Sequence, residues 1–200
     1  MKKLVIASSN PGKLAEIRAL LAPRGIAVMS QGELGIADAR EPHFTFLENA
    51  LAKARHASKL SNLPALADDS GLCVDALGSE PGVNSAYYAG EQGSRAERDA
   101  RNNAKLLSAM QGLTIKTARY VCVMVFVRHA LDAQPLIAEG TWHGEITSNP
   151  RGENGFGYDP LFLLAGFGKT AAELDAAQKN RLSHRGVALK ALIERLGVER

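Results

Sequence analysis

Cysteine is nearly missing from this 200-residue chain: Cys73 and Cys122 are the only two, far apart and in apolar company. That usage excludes a disulfide framework and suits small buried hydrophobes in a reducing compartment. No apolar stretch is long enough for a bilayer. The longest, Tyr120 to Val127, has the length of a strand, whereas a membrane helix takes about 20 residues. Lys2-Lys3 starts like the basic end of a secretion signal, but Leu4-Val5-Ile6-Ala7 gives way at once to Ser8-Ser9-Asn10-Pro11, short of the roughly seven apolar residues such a signal needs. A cytoplasmic protein with no membrane partner is therefore expected. Neither charge dominates: 24 Lys+Arg against 21 Asp+Glu leave +3, with the basic residues scattered, which argues against a nucleic-acid partner. His43, His56, His129 and His143 show no paired spacing and no neighbouring cysteine, so no zinc site is expected. A Gly-x-Ser-x-Gly elbow is also missing, and neither cysteine has the local signature of a nucleophile, which argues against covalent acyl transfer.

What is present is a chain with 46% hydrophobic and 22% charged residues, enough apolar material for a compact domain, taken here as one domain over residues 1–200. Leu4 to Ser8 reads as a buried strand, and Asn10 can cap a helix that opens with Pro11 and carries Leu14, Ile17, Leu20 and Leu21 until Pro23 and Gly25 stop it. Ile26 to Met29 is the next expected strand, and Gln31 to His43 a loop. Thr45 to Leu60 is expected to be a helix with a capping box at Thr45-Phe46-Leu47-Glu48, an apolar stripe of Leu47, Ala50, Leu51, Ala54 and Ala57, and a polar face with Lys53 and Arg55. Two short strand-like pieces, Ala65-Leu66-Ala67 and Leu72-Cys73-Val74, flank an expected acidic turn at Asp68-Asp69-Ser70-Gly71. Ser94 to Met110 is expected to be a polar surface helix with Ala100, Ala104, Leu106 and Leu107 as its buried side. Arg119 to Arg128 is expected to be a central strand, Leu136 to Thr147 a strand or bent pair around Gly140 and Gly144, and Leu161 to Leu164 a short strand. Asn180 to Leu196 closes the chain as an expected helix, with Ser183 a cap near its start.

Four segments carry groups suited to chemistry. Ser8-Ser9-Asn10-Pro11-Gly12-Lys13 lies between a strand and a helix, where backbone N–H groups and the helix dipole favour an anion and Lys13 adds a charge. It lacks the glycine pattern of a Walker loop, and it also suits an ordinary capped helix start. Asp68 and Asp69 offer adjacent carboxylates to Mg²⁺, with Glu41 as a third candidate ligand, although Asp, Ser and Gly are equally standard turn residues. Gly155-Phe156-Gly157-Tyr158-Asp159-Pro160 allows Phe156 to stack on a flat ligand, or both aromatics to pack in the core. Lys179 and Ser183-His184-Arg185-Gly186 place donors near the last helix start, where they also suit solvent.

Together these segments describe a nucleotide site in parts, and the chain resembles the inosine triphosphate pyrophosphatase family over its whole length. The motifs that carry the resemblance, in family order, are Ser8 to Lys13, Phe46-Leu47-Glu48-Asn49-Ala50 with Lys53-Ala54-Arg55, Ala67-Asp68-Asp69-Ser70-Gly71-Leu72, Gly155 to Pro160 and Ser183-His184-Arg185-Gly186. The resemblance implies an α/β fold with a long curved mixed β-sheet flanked by helices, and two lobes with a central active-site cleft. It implies Mg²⁺-dependent hydrolysis of ITP, dITP and XTP to the monophosphate and pyrophosphate by a homodimer that clears these non-standard purine nucleoside triphosphates from the nucleotide pool. Ser8, Ser9, Asn10, Pro11, Gly12 and Lys13 would then hold the triphosphate, with Ser70 as a further substrate contact. Asp69 would be general base and metal ligand, with Glu41 the other metal carboxylate and Asp68 and Lys53 further catalytic groups. Phe156, Gly157, Tyr158 and Asp159 would form the base-binding loop, and Lys179, His184 and Arg185 would read the base edge. Ser8-Ser9 stands where relatives often have Thr-Gly, which keeps the first hydroxyl. A Maf-type pyrophosphatase, whose Ser-x-Arg-Arg pattern is missing here, and a nucleotide-binding module without catalysis are the alternatives.

Overall fold

The computed structural model describes residues 3–197. Its strands are β1 (Lys3–Ile6), β2 (Ala27–Ser30), β3 (Ala65–Val74), β4 (Thr117–Val127), β5 (Leu136–Ile146), β6 (Phe162–Leu164) and β7 (Lys169–Thr170). They form one sheet in the order β2-β1-β3-β4-β5-β6-β7. The sheet is mixed: β1 runs parallel to β2 and β3, with Val5 opposite Ala65, and β6 runs antiparallel to β5 and β7. The helices are α1 (Pro11–Leu21), α2 (Phe46–Ser61), α3 (Arg95–Ala109), α4 (Ala176–Leu182) and α5 (His184–Arg195). The expected α/β class is thus the observed one, and none of these helices is long and apolar enough to cross a membrane.

The chain divides into two compact units, one from the described parts of Met1–Asp69, Cys122–Gly140 and His184–Arg200, the other from Ser70–Val121 and Thr141–Ser183. The first unit has a core of Leu4, Ile6, Ile17, Leu21, Leu66, Met124, Phe126, Leu189 and Leu192. Here α5 lies directly on β5 at Gly140, where a Cβ would fall 2.0 Å from the His184 carbonyl oxygen. Only glycine permits that approach of helix to strand. The second unit packs Leu72, Leu106, Tyr120, Trp142, Leu161 and Phe162, with Tyr120 and Phe162 ring centroids 4.6 Å apart. Both cysteines are buried and neither forms a disulfide, and removal from water pushes the Cys73 thiol pKa up.

Several expected boundaries hold for local reasons. The Asn10 side chain accepts from the Lys13 amide at 3.2 Å and Pro11 opens α1, as its missing N–H allows. Thr45 caps α2, but Glu48 turns to the Thr45 hydroxyl at 2.6 Å rather than to its backbone. Ser94 and Glu97 form the reciprocal box that starts α3.

Four expectations are corrected. No turn interrupts Ala65–Val74: Asp68, Asp69, Ser70 and Gly71 continue β3, because both carboxylates are compensated by cations and the ladder can run through them. Lys53 is not on a solvated face of α2; it is buried with Asn49, Ala50, Ala54 and Ala57, while Leu47 is exposed. Ala100 and Ala104 are exposed. Leu106 is buried and Leu107 partly buried against the core, as expected, and Asn102 with Met110 completes that side, because Asn102 satisfies the Ser85, Ala86 and Ala89 backbone. The last helix is two: extended Ser183 (φ −69°, ψ 157°) ends α4 and precedes α5, so Lys179 belongs to α4.

Candidate active site

The first unit gathers charge around the end of its portion of β3. Asp68 and Asp69, adjacent in a strand, point to opposite faces, so each meets different partners. Lys13, in the first turn of α1, reaches Asp68 Oδ2 at 2.9 Å. Arg185, at the start of α5, approaches the same oxygen through Nε and Nη2 at 3.4 Å and pairs with Glu16 of α1 through Nη1. Arg185 is 2% exposed, and Asp68 and Glu16 hold its guanidinium pKa above the ordinary arginine value despite burial.

Asp69 has a separate set. Lys53 Nζ donates to Asp69 Oδ1 at 3.0 Å and to Glu41 Oε2 at 2.8 Å, so one ammonium joins two carboxylates. Asn49, one turn before Lys53, donates to Asp69 Oδ2 at 3.2 Å and anchors the loop that carries Glu41 through both backbone groups of His43. Burial raises the Asp69 pKa above its ordinary value, and the opposing pull of Lys53 and Lys13 does not cancel it. Burial by itself would lower the Lys53 pKa; the Asp69, Glu41 and Asp68 carboxylates hold it above the lysine norm. The result is a carboxylate with raised proton affinity beside an ammonium whose carboxylate partners favour its charged form. Ser8 accepts from the Asn10 amide at 3.2 Å, and Ser9 donates to Asp38 at 2.7 Å, which shapes the turn before α1.

The second unit holds the aromatic loop. Gly155 has φ +76° and a Cβ there would lie 2.1 Å from Asp159 Oδ2, so the loop needs glycine both for conformation and for space. Asp159 accepts from the Phe156 amide at 2.8 Å and from Lys179 Nζ at 2.6 Å. Lys179 Nζ also lies 4.6 Å from the Phe156 ring centroid. Tyr158 is buried and donates to the Ser85 carbonyl at 2.9 Å, and burial pushes its pKa well up. Phe156 itself is half-buried, as is Ser70 in β3. Removed from water, with Asp159 and Tyr158 beside it, Tyr120 also has a strongly raised pKa and stays neutral.

Within the first unit, then, Lys13, Lys53, Asp68, Asp69, Glu41 and Arg185 are joined by ion pairs. Within the second, Phe156, Asp159 and Lys179 are joined by contacts. His184 is buried in the first unit. Asn49, Glu16 and Asp38 went unassigned in the sequence. Two of them had a spacing signal: Asn49 precedes Lys53 by four residues and Glu16 follows Lys13 by three, so each shares a helix face with a charged group already singled out.

A mixed-sheet α/β protein with paired carboxylates and lysines at the end of a buried strand segment is the class these observations define. Residues 4–195 match the Ham1 family, and the chain belongs to that family. It is 62% identical over 196 residues to the dITP/XTP pyrophosphatase of Ralstonia nicotianae, covering 98% of this chain and 97% of that one. It is 59% identical over 196 residues to the dITP/XTP pyrophosphatase of Nitrosomonas europaea, at 98% and 95% coverage. Among solved structures, a HAM1 protein from Coxiella burnetii superposes with a TM-score of 0.89 at 46% identity, covering 98% of each chain. The Ham1 protein of Staphylococcus aureus gives 0.86 at 40% identity, covering 100% of each.

Proposed function

We propose that this chain hydrolyses non-standard purine nucleoside triphosphates, dITP, ITP and XTP, to the monophosphate and pyrophosphate. The observation that carries the reading is the Lys53 bridge between Asp69 and Glu41, found on a chain closely similar to enzymes with that name. In this reading Ser8 to Lys13, Lys53 and Asp69 serve the phosphates, and the aromatic loop with Lys179, His184 and Arg185 serves the base. Ser8 to Lys13 cradles the triphosphate, with the α1 N-terminus and the Lys13 ammonium favouring its charge. Asp69, its proton affinity raised by burial, orients a water and takes its proton as the oxygen attacks the α-phosphorus in line. Lys53 stays protonated and stabilises the charge that grows on the leaving pyrophosphate. Asp68 keeps Lys13 and Arg185 in place, and Ser70 adds a substrate contact.

The donor set suits Mg²⁺. Two hard carboxylates, Glu41 and Asp69, already converge on one cationic atom. No group of three or more His, Cys, Asp or Glu is arranged to hold a metal among the described residues, so water and phosphate would complete the shell. When bound there, the ion offsets phosphate charge. Phe156, with Gly157, Tyr158 and Asp159 as its loop, stacks the base. Lys179, His184 and Arg185 offer donors to a 6-oxo group; adenine presents its own amino donor there, so donor faces donor and each lost hydrogen bond costs about 1–3 kcal/mol. A homodimer acting on the free nucleotide pool of the cytoplasm completes the proposal.

Pyrophosphate release from ITP, dITP, XTP, ATP and GTP, with Mg²⁺ and with chelator, tests it. Metal-dependent cleavage confined to the first three is the expected outcome. Equal rates on all five would remove the base assignments, and no cleavage of any would remove the hydrolytic one.

A further inference from the structure

Helix α3 contributes a stripe of polar side chains, four residues apart, that grips the aromatic loop. Asp99 Oδ2 accepts from the Gly157 amide at 3.0 Å, and Asn103 Nδ2 donates to the Gly157 carbonyl at 3.0 Å. Both backbone groups of Gly157 are thus fixed by one helix face. One turn earlier on that face, the Arg95 guanidinium carbon lies 4.5 Å from the Phe156 ring centroid, within the range of a cation–π contact. Arg95 Nε is also 3.8 Å from Asp99 Oδ2, so the same carboxylate faces both the arginine and the loop. The spacing 95, 99, 103 is that of one helical face, and the stripe stands apart from the buried residues Asn102 and Leu106 that seat α3 in its unit.

We infer that Arg95, Asp99 and Asn103 form a positioning clamp that sets the orientation of the Phe156 ring, and that Arg95 is thereby a determinant of base affinity. The inference rests on the stacking role proposed for Phe156. The physical argument is one of preorganisation: a loop with glycines at positions 155 and 157 samples many backbone states unless its polar groups are held. Asp99 and Asn103 hold the backbone, and Arg95 holds the ring. Lys179 approaches the same ring, but Asp159, within the loop, pairs with it. The α3 stripe is the part of the arrangement that holds both the ring and the loop backbone from one helix face.

The test is a double-mutant cycle on the whole protein with dITP as substrate. Arg95→Ala should raise KM about three- to fivefold, the loss expected from one partly exposed cation–π contact, with kcat and Tm nearly unchanged. Arg95→Lys, which keeps the charge, should recover part of the loss. Combined with Phe156→Ala, Arg95→Ala should add nothing further, because the arginine acts through the ring. A normal KM for Arg95→Ala alongside a raised KM for Phe156→Ala would overturn the clamp and leave the stacking role standing. Additive effects would do the same. An unchanged KM for Phe156→Ala would overturn the stacking role and the clamp with it.

Discussion

The two units solve opposite problems with charged side chains. In the first, Asp68, Asp69, Lys53 and Arg185 are taken out of water, Lys13 is half-buried, and they compensate one another, so each group is held by at least one opposite charge. In the second, charge surrounds an aromatic ring: Arg95 and Lys179 lie over Phe156 while Asp99 and Asp159 fix the loop backbone. A buried ion pair is intolerant of losing one partner, because the other is left uncompensated in a low dielectric. A cation over a half-buried ring is worth far less and can be lost with little structural effect. The charged centre should therefore govern turnover and stability, and the loop should govern affinity.

Four measurements break or sharpen that contrast. Asp69→Asn should give the largest effect, a fall in kcat of about a thousandfold from the loss of a general base, with Tm close to normal because the amide keeps the shape and Lys53 keeps Glu41 as its counter-charge. A rate within tenfold of normal would remove Asp69 from that role. Arg185→Ala leaves Asp68 and Glu16 without their buried cation and should cost about 3–5 kcal/mol of stability, read by chemical denaturation. Phe156→Ala should raise KM about tenfold, in line with about 1–3 kcal/mol for stacking a base, while kcat moves little; an equal fall in kcat would mean that the ring also serves the chemistry.

The fourth concerns pH. Asp69 must be ionised to accept a proton, and burial raises its pKa, so the acid limb of kcat/KM should lie at higher pH than an exposed aspartate would give. Lys53 lowers that pKa by its charge, so Lys53→Met should move the limb to higher pH in the residual activity. A limb that stayed in place would mean that another group controls it.

The local signals in the chain were strong where backbone geometry decides. Asn10-Pro11, Thr45 and Ser94 marked helix starts that are observed, and the apolar stretch around Tyr120 to Val127 lies in the central strand β4. They failed where a polar residue is buried. Asp68-Asp69-Ser70-Gly71 has the composition of a turn, Lys53 that of a solvated face and Asn102 that of a helix exterior, yet all three places are interior. Composition scales assign such residues to water because they cannot register the partner that repays desolvation. Ser183 misled in another way: its cap character was legible, but not that it separates two helices.

By itself, then, the sequence determined the class of fold, most element boundaries and the chemical types at the site, since these depend on periodicity, caps and motif spacing over short range. The pairings were decided only by the tertiary structure. Arg185 meets Asp68 across 117 residues and Asp99 meets Gly157 across 58, and no local pattern encodes contacts at such separations. Which carboxylate faces which cation follows from strand order, from the alternation of β3 and from the helix faces that the two apolar cores turn inward.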